Sequence, residues 1–214
     1  YYQVAGLSIR PDKKMIAFGV DTQSRRIYTI HFKNLETGEI LDEVITNTTG
    51  GATWAEDNKT LFYSRKNEIT LRSERILKHK LGTSDQTDVE VYYEADETFS
   101  TFVYKTKSKK YLIIGSSATL SDEYRILEAD NPDGTFRVFQ PRQRNLEYGI
   151  AHFNDHWYIR TNADGATNFK IMRTPLNATT QNNWIDVLPH REDVLVGGME
   201  LFKHFMVVEE RSNG

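Results

Sequence analysis

The sequence has 214 residues, of which 38% are hydrophobic and 27% charged, and 27 Lys and Arg against 30 Asp and Glu give a net charge of −3. This composition provides enough apolar residues for a core and excludes wholesale disorder, and the near-neutral charge is not typical of a nucleic-acid-binding domain. The chain contains no cysteine, which excludes disulfides and thiolate chemistry, and no apolar stretch approaches the ~20 residues that span a bilayer.

Short strands are predicted throughout the chain, because apolar residues recur mainly with a period of two. Typical runs are Ile27–Phe32, Val89–Tyr93 and Phe136–Phe139. Turn-forming residues separate such runs, since Gly, Asn and Asp tolerate the positive φ of tight turns. No window sustains a helical stripe beyond about two turns. The sequence therefore predicts an all-β fold.

The strands also repeat along the chain. A turn followed by a hydrophobic strand occurs five times, and the marker residues are 45, 50, 46 and 48 positions apart: Ile16, Leu61, Tyr111, Trp157 and Phe205. One further strand precedes each marker, and two more follow each of the first four. Four antiparallel strands per ~45 residues are typical of a β-propeller blade. An immunoglobulin-like sandwich would not produce such a period, so this fold ranks well below the propeller.

This spacing predicts a partial β-propeller over residues 1–214. The expected blades cover residues 1–48, 49–98, 99–144 and 145–190, with half a blade at 191–214. Propellers close with ~4–8 blades, and half a blade leaves an unpaired sheet edge. We therefore expect the natural chain to continue beyond Gly214, and a polypeptide limited to these residues to self-associate.

Candidate catalytic and metal-binding motifs are weak. Gly115-Ser116-Ser117-Ala118 lacks the second glycine of a nucleophile elbow, so an ordinary hairpin hydroxyl is the preferred interpretation. The six histidines are scattered, and a turn at Asn154-Asp155 separates His152 from His156. Asp130–Gly134 lacks the ligand spacing of a calcium loop. We assign no catalytic residue, no metal site and no cofactor.

Two other segments are interpreted as turns. Thr48-Thr49-Gly50-Gly51 is too short for a phosphate loop and has no following Lys, which favours an inter-blade turn. Lys105–Lys110 is a basic cluster without aromatic residues arranged beside it along a groove, which favours a solvated hairpin tip over nucleic-acid contact. With the composition, this argues against nucleic-acid and membrane partners and fits a cytoplasmic protein.

Several stretches, in order along essentially all 214 residues, are similar to one known family. The matching stretches are Gly6–Asp12, Phe18–Asp21, Ser24–Ile30, Asn34–Gly38, Tyr104–Lys109, Ser121–Arg125, Phe139–Arg142, Glu147-Tyr148, Trp157–Asn162 and Val207–Arg211. Together they resemble the propeller of the prolyl oligopeptidase family, in particular its oligopeptidase B (protease II) branch.

The resemblance implies a serine peptidase of two domains. An α/β-hydrolase domain would carry a Ser-Asp-His triad, and a seven-bladed propeller would cap it and exclude large folded substrates. The branch cleaves short peptides after Arg or Lys, so the implied partners are basic peptides and the hydrolase domain of the same full-length chain. That domain is absent from this sequence, and no catalytic residue can be carried over.

Arg25 and Arg26 are the binding residues that the resemblance suggests. They lie in a Ser-Arg-Arg stretch between two strands, where a loop would face the hydrolase domain or the peptide. Ordinary surface charge is the preferred interpretation for both arginines, because exposed arginines are the norm. For the whole protein, the alternatives are a related exopeptidase and a non-enzymatic propeller that binds a protein partner on its disc face.

Overall fold

The computed structural model describes residues 1–213 and consists almost entirely of β-strands. Three short 3-10 helices, at Asp85–Thr87, Ala163–Gly165 and Gln181–Asn183, interrupt the strands. The predicted all-β fold is confirmed. The strands are β1 Gln3–Ile9, β2 Met15–Asp21, β3 Tyr28–Asn34, β4 Ile40–Trp54, β5 Thr60–Lys66, β6 Ser73–Lys80, β7 Val89–Tyr93, β8 Ser100–Lys105, β9 Tyr111–Ser117, β10 Asp122–Glu128, β11 Arg137–Val138, β12 Tyr148–Phe153, β13 His156–Thr161, β14 Lys170–Pro175, β15 Ile185–Leu188, β16 Val194–Leu201 and β17 Met206–Ser212.

The strands pair with their neighbours along the chain, always antiparallel. Strands β8 to β11 form one four-stranded sheet, β12 to β15 form a second, and β16 pairs with β17. Strands β1 to β7 form one continuous sheet of seven strands. The four-stranded antiparallel sheets agree with the predicted propeller blades.

The seven-stranded sheet arises because two blades share strand β4. The first part of β4 pairs with β3, where Thr48 lies opposite Tyr28, and its last part pairs with β5, where Ala52 lies opposite Tyr63. The interpretation of Thr48–Gly51 as a turn is therefore wrong. The strand bends instead of ending, because Gly50 has a φ of +93° that glycine adopts without strain.

Close backbone packing explains the glycine at this bend. A Cβ atom on Gly19 or Gly6 would overlap the backbone of Gly50. Three chain segments therefore meet where only glycines fit, which holds β1, β2 and the bend of β4 together. We call the resulting units blade A (β1 to the first part of β4), blade B (last part of β4 to β7), blade C (β8 to β11), blade D (β12 to β15) and blade E (β16 and β17).

The core lies between blades rather than inside one sandwich. In β5, Leu61 and Tyr63 pack with Phe32 of blade A, whereas Phe62 between them packs on the other side with Leu112 of blade C. A third cluster, which includes Phe139, Tyr148 and Trp157, joins blades C and D. Burial of both sheet faces explains why β5 reads as a continuous apolar run, and it is the packing that a propeller requires.

Apolar side chains remain exposed on the first and last strands. On β1 they are Val4, Leu7 and Ile9, and on β17 Val207. Exposed apolar patches of this kind promote association, so self-association of a polypeptide limited to these residues stays a prediction. Within residues 1–213, no helix has the length and apolar character needed to span a membrane.

Candidate functional site

The loop that joins β2 to β3, residues 22–27, carries the two arginines singled out in the sequence. A buried carboxylate at the end of β2 shapes this loop: Asp21 accepts hydrogen bonds from the backbone N–H groups of Gln23 at 2.8 Å and Arg26 at 2.7 Å. Ser24 and Arg26 have φ values of 60° and 57°, in the left-handed region that non-glycine residues seldom adopt. The loop is therefore held in one conformation.

The fixed loop presents both arginine side chains to solvent. Arg25 and Arg26 are exposed. Burial alone would raise the pKa of the Asp21 carboxyl, but the backbone N–H groups that point at it lower the pKa below its usual value, so Asp21 is ionised. Strained backbone held by a buried charge is a feature often found at binding sites. The loop can therefore present two guanidinium groups to a carboxylate at a defined position.

A lysine from blade B adds to this positive charge. Lys66 Nζ donates to the carbonyl oxygen of Arg26 at 2.5 Å and so ties the end of β5 to the β2–β3 loop. Burial lowers the pKa of Lys66, and the neighbouring Arg26 guanidinium lowers it further. The three cations Arg25, Arg26 and Lys66 form what we call the arginine loop site.

Further contacts run along the same face of the propeller. Arg72, in the loop before β6, donates to the carbonyl oxygens of Glu94 at 3.1 Å and Phe99 at 2.9 Å in the loop before β8. Glu94 in turn binds Arg142, in the loop before β12, at 2.6 Å. Loops 22–27, 67–72, 94–99 and 139–147 are thus linked side by side. We call this side the loop face.

The Glu94–Arg142 pair is a largely enclosed ion pair on the loop face. The Glu94 side chain is 4% exposed, and the Arg142 guanidinium carbon lies 3.6 Å from the centroid of the Phe99 ring. Tyr92 Oη also donates to Glu94 at 2.6 Å. Burial would raise the pKa of the Glu94 carboxyl, but the hydrogen bonds from Arg142 and Tyr92 lower it to about 2. The pair joins blades B and C by a charge contact.

A second buried charge cluster, which the sequence analysis missed, joins blades A and B. The His79 side chain is fully buried; its Nδ1 lies 2.7 Å from Asp88 Oδ1 and its Nε2 lies 2.6 Å from Glu43 Oε1. Tyr63 Oη donates to the other Asp88 oxygen at 2.8 Å. Burial alone would lower the pKa of His79, but the two carboxylates raise it above its usual value. The imidazolium form bridges the blades.

We expect the stability of the propeller to fall at alkaline pH because of His79. Because the pKa of His79 is raised in the folded state, the stabilising contribution of this residue is complete below its unfolded-state pKa of ~6.5. That contribution is lost as the pH rises through the folded-state pKa. Urea unfolding at a series of pH values from 6 to 9 should show this loss in the wild-type protein, and His79→Gln should reduce it. An identical pH dependence in His79→Gln would contradict the assignment.

The serines and the remaining histidines do not form a triad. Ser116 is buried in β9 with its Oγ 3.1 Å from Tyr92 Oη. His152 Nδ1 lies 2.8 Å from Ser108 Oγ, but within residues 1–213 no Asp or Glu side chain hydrogen-bonds to His152. A Ser–His pair needs a third group to orient the base. Nucleophilic catalysis therefore finds no complete arrangement in the described part of the chain.

The other sequence motifs fall at the opposite ends of the strands. The turn at Asn154-Asp155 does separate His152 from His156, and His156 Nδ1 instead lies 2.7 Å from Asp155 Oδ1. In Asp130–Gly134, Asp133 pairs with Lys78 at 2.7 Å. No group of His, Asp and Glu side chains suited to a metal ion occurs among the described residues.

Comparison with known families gives one match over the whole chain. The family model described as the N-terminal β-propeller domain of prolyl oligopeptidase matches residues 1–214. Among curated proteins, the chain is 44% identical over 213 residues to dipeptidyl aminopeptidase BI of Pseudoxanthomonas mexicana, covering 100% of the chain and 29% of that protein. It is 27% identical over 216 residues to Protease 2 of Moraxella lacunata, covering 100% of the chain and 31% of that protein.

Solved structures show the same relationship. Oligopeptidase B from Leishmania major superimposes with a TM-score of 0.92 at 28% identity, over 99% of this chain and 30% of that one. The chain thus spans about a third of the length of the relatives that it matches.

Proposed function

The chain belongs to the prolyl oligopeptidase family, as its N-terminal β-propeller domain, and from this premise we propose that it is the gating part of a serine oligopeptidase, which admits short peptides and excludes folded proteins. The observation that carries the proposal is the match of 99% of the chain, at a TM-score of 0.92, to 30% of oligopeptidase B from Leishmania major. The remaining length of such relatives leaves room for the proposed α/β-hydrolase domain. In this proposal the propeller controls the access of peptides to the active site and takes no part in the chemical step.

Two substrate preferences are compatible with the relatives. Similarity to Protease 2 and oligopeptidase B supports cleavage after Arg or Lys inside short basic peptides. The higher identity to dipeptidyl aminopeptidase BI favours, as a second candidate, removal of residues from a free amino terminus. The full-length protein distinguishes these preferences: cleavage of an Arg-Arg reporter with a blocked amino terminus supports the first, and cleavage only of the same reporter with a free amino terminus supports the second.

We place the full-length protein in the cytoplasm, which the cysteine-free composition of this chain supports.

Within this proposal, the arginine loop site contacts the hydrolase domain or the peptide. Its guanidinium groups are exposed and cationic, and Asp21 fixes the backbone that carries them, which suits the loop to pair with carboxylates across the domain interface. A preformed loop loses little conformational entropy when it binds. The blade boundaries proposed from the sequence place this loop inside the first blade.

We expect Arg25→Ala/Arg26→Ala to raise the KM of the full-length enzyme for a ten-residue basic peptide about fivefold, since exposed charge pairs each contribute ~0.2–1 kcal/mol. The rate of inactivation by a small serine-reactive phosphonate should stay unchanged, because the triad is not touched. Lys33→Ala/Lys80→Ala, which removes two exposed lysines elsewhere, is the matched control. An unchanged KM in the arginine variant would leave these residues as surface charge.

A further inference from the structure

The basic hairpin between β8 and β9, residues 106–110, borders a cavity of about 430 Å³. Three hairpins form the walls of this cavity, one from each of blades C, D and E: β8–β9, β12–β13 and β16–β17. The volume falls within the range of ~300–1,000 Å³ typical of ligand sites. The basic cluster of the sequence therefore lies beside a concave surface.

The floor of the cavity is apolar and aromatic. Phe202 lines it and stacks on Phe205 with the ring centroids 4.8 Å apart. His152 also lines the cavity and is buried against Tyr111 and Trp157 at centroid distances of 4.8 Å and 5.2 Å. Burial lowers the pKa of His152, and Lys110 lowers it further, so this imidazole is neutral near pH 7. The floor is suited to an apolar or aromatic group.

The rim of the cavity is positively charged. Lys107, Lys110 and Lys203 line it, and within residues 1–213 no Asp or Glu is among the lining residues. Lys110 and Lys203 are exposed and form no ion pair with any described residue. A second cavity on the other side of the hairpin differs, because a carboxylate, Glu56, lines it and pairs with Lys105.

One carboxylate of the chain already shows how an acid binds here. Glu200 Oε1 lies 2.5 Å from Lys107 Nζ, and the same ammonium group lies 3.6 Å from the centroid of the Phe202 ring. A carboxylate, a lysine and an aromatic face thus stack in one place. Lys110 and Lys203 offer equivalent donors to carboxylates from outside the chain.

We propose that this cavity, which we call the lysine cavity, binds a short acidic peptide segment whose carboxylates flank an aromatic or aliphatic side chain. The carboxylates pair with Lys110 and Lys203, and the apolar side chain packs beside Phe153, Leu201 and Phe202, which line the cavity. Nucleic acid is disfavoured, because the lysines border a single cavity of about 430 Å³ rather than an extended groove and the chain as a whole carries a net charge of −3.

The lysine cavity is separate from the arginine loop site. Its hairpins join the first and second strands of their blades, whereas residues 22–27 join the second and third strands of blade A. Because consecutive strands are antiparallel, these two kinds of loop lie at opposite ends of the strands. Binding of an acidic peptide is therefore independent of the proposed gating function and of contacts on the loop face.

Fluorescence anisotropy of a labelled Glu-Glu-Phe-Glu-Glu peptide, titrated with full-length protein previously inactivated by a serine-reactive phosphonate, tests the proposal. Inactivation blocks the active site, so that failure of the gating proposal leaves this result unaffected. We expect the Kd to rise at least about tenfold for the matched Gln-Gln-Phe-Gln-Gln peptide and for Lys110→Glu/Lys203→Glu. Phe202→Ala should weaken binding, and Lys33→Glu, an exposed lysine on β3, should leave the Kd unchanged.

Equal affinity for the two peptides, an unchanged Kd in Lys110→Glu/Lys203→Glu, or tighter binding of an oligonucleotide of equal charge would overturn the proposal. If the charge-reversal variant fails to fold, the same proposal is tested in the wild-type protein by measuring how strongly the bound peptide protects individual lysines from chemical acetylation. The Glu peptide should protect Lys110 and Lys203 from acetylation at least about threefold more than Lys33. Equal modification of all three lysines would count against the site.

Discussion

A polypeptide limited to residues 1–214 is expected to hydrolyse no peptide above the buffer blank and to take up no serine-directed phosphonate. Ser116 Oγ is enclosed beside Tyr92, and the Ser108–His152 contact is oriented by no carboxylate of the described chain. An enzyme without its triad keeps only residual stabilisation from binding. Under the proposed function, the nucleophile, base and acid all belong to the hydrolase domain.

A fluorogenic Arg-Arg peptide and mass spectrometry after phosphonate treatment measure both parts of this prediction. The full-length protein under the same conditions is the positive control. Turnover by residues 1–214 together with stoichiometric labelling of one serine would show that the chain carries its own active site. The division of labour proposed here would then be wrong.

Arg142→Ala is expected to lower the free energy of unfolding of the propeller by about 3 kcal/mol. The substitution leaves the Glu94 carboxylate, 4% exposed, without its guanidinium partner, and removing one member of a buried ion pair typically costs ~3–5 kcal/mol. Arg142 also covers the Phe99 ring, so packing is lost as well. Arg144→Ala, which removes an exposed arginine two positions after Arg142 in the same loop, should change the stability by less than about 0.5 kcal/mol.

The acid dependence of stability gives a second readout of the same pair. The folded-state pKa of Glu94 is about 2, below its ordinary value of 4.5. Its stabilising contribution is therefore present above pH ~4.5 and is lost as the pH falls toward 2. Urea unfolding between pH 2 and pH 6 should show a shallower acid loss in Arg142→Ala than in the wild-type protein. Parallel curves would mean that Glu94 is not held by Arg142.

The strands and their repeat were predictable, because blade packing imposes a local pattern. In β5, Leu61, Phe62 and Tyr63 all read as apolar since neighbouring blades bury both faces of the sheet. The bend of β4 was not predictable from Thr48–Gly51 alone. Its glycine packs against Gly6 and Gly19 of other strands, and nothing in the local sequence marks that contact.

The charge clusters were missed for the same physical reason. His79 meets Glu43, 36 positions earlier in the chain, and Glu94 meets Arg142, 48 positions later. Such pairs depend on how blades lie against each other, and side-chain types at these spacings carry no periodic signal. The aromatic floor beneath the Lys105–Lys110 cluster likewise comes from Phe202, on a hairpin two blades away.

Size selection is the central claim, and closing the domain interface tests it most directly. A disulfide between Arg25→Cys and a cysteine placed in the facing segment of the hydrolase domain would lock the two domains together in the full-length enzyme. If the propeller gates access, the oxidised enzyme should lose at least about tenfold in kcat/KM for a ten-residue basic peptide and much less for a dipeptide reporter, and reduction should restore both. Unchanged relative rates for the long and short substrates after complete crosslinking would contradict the gating role.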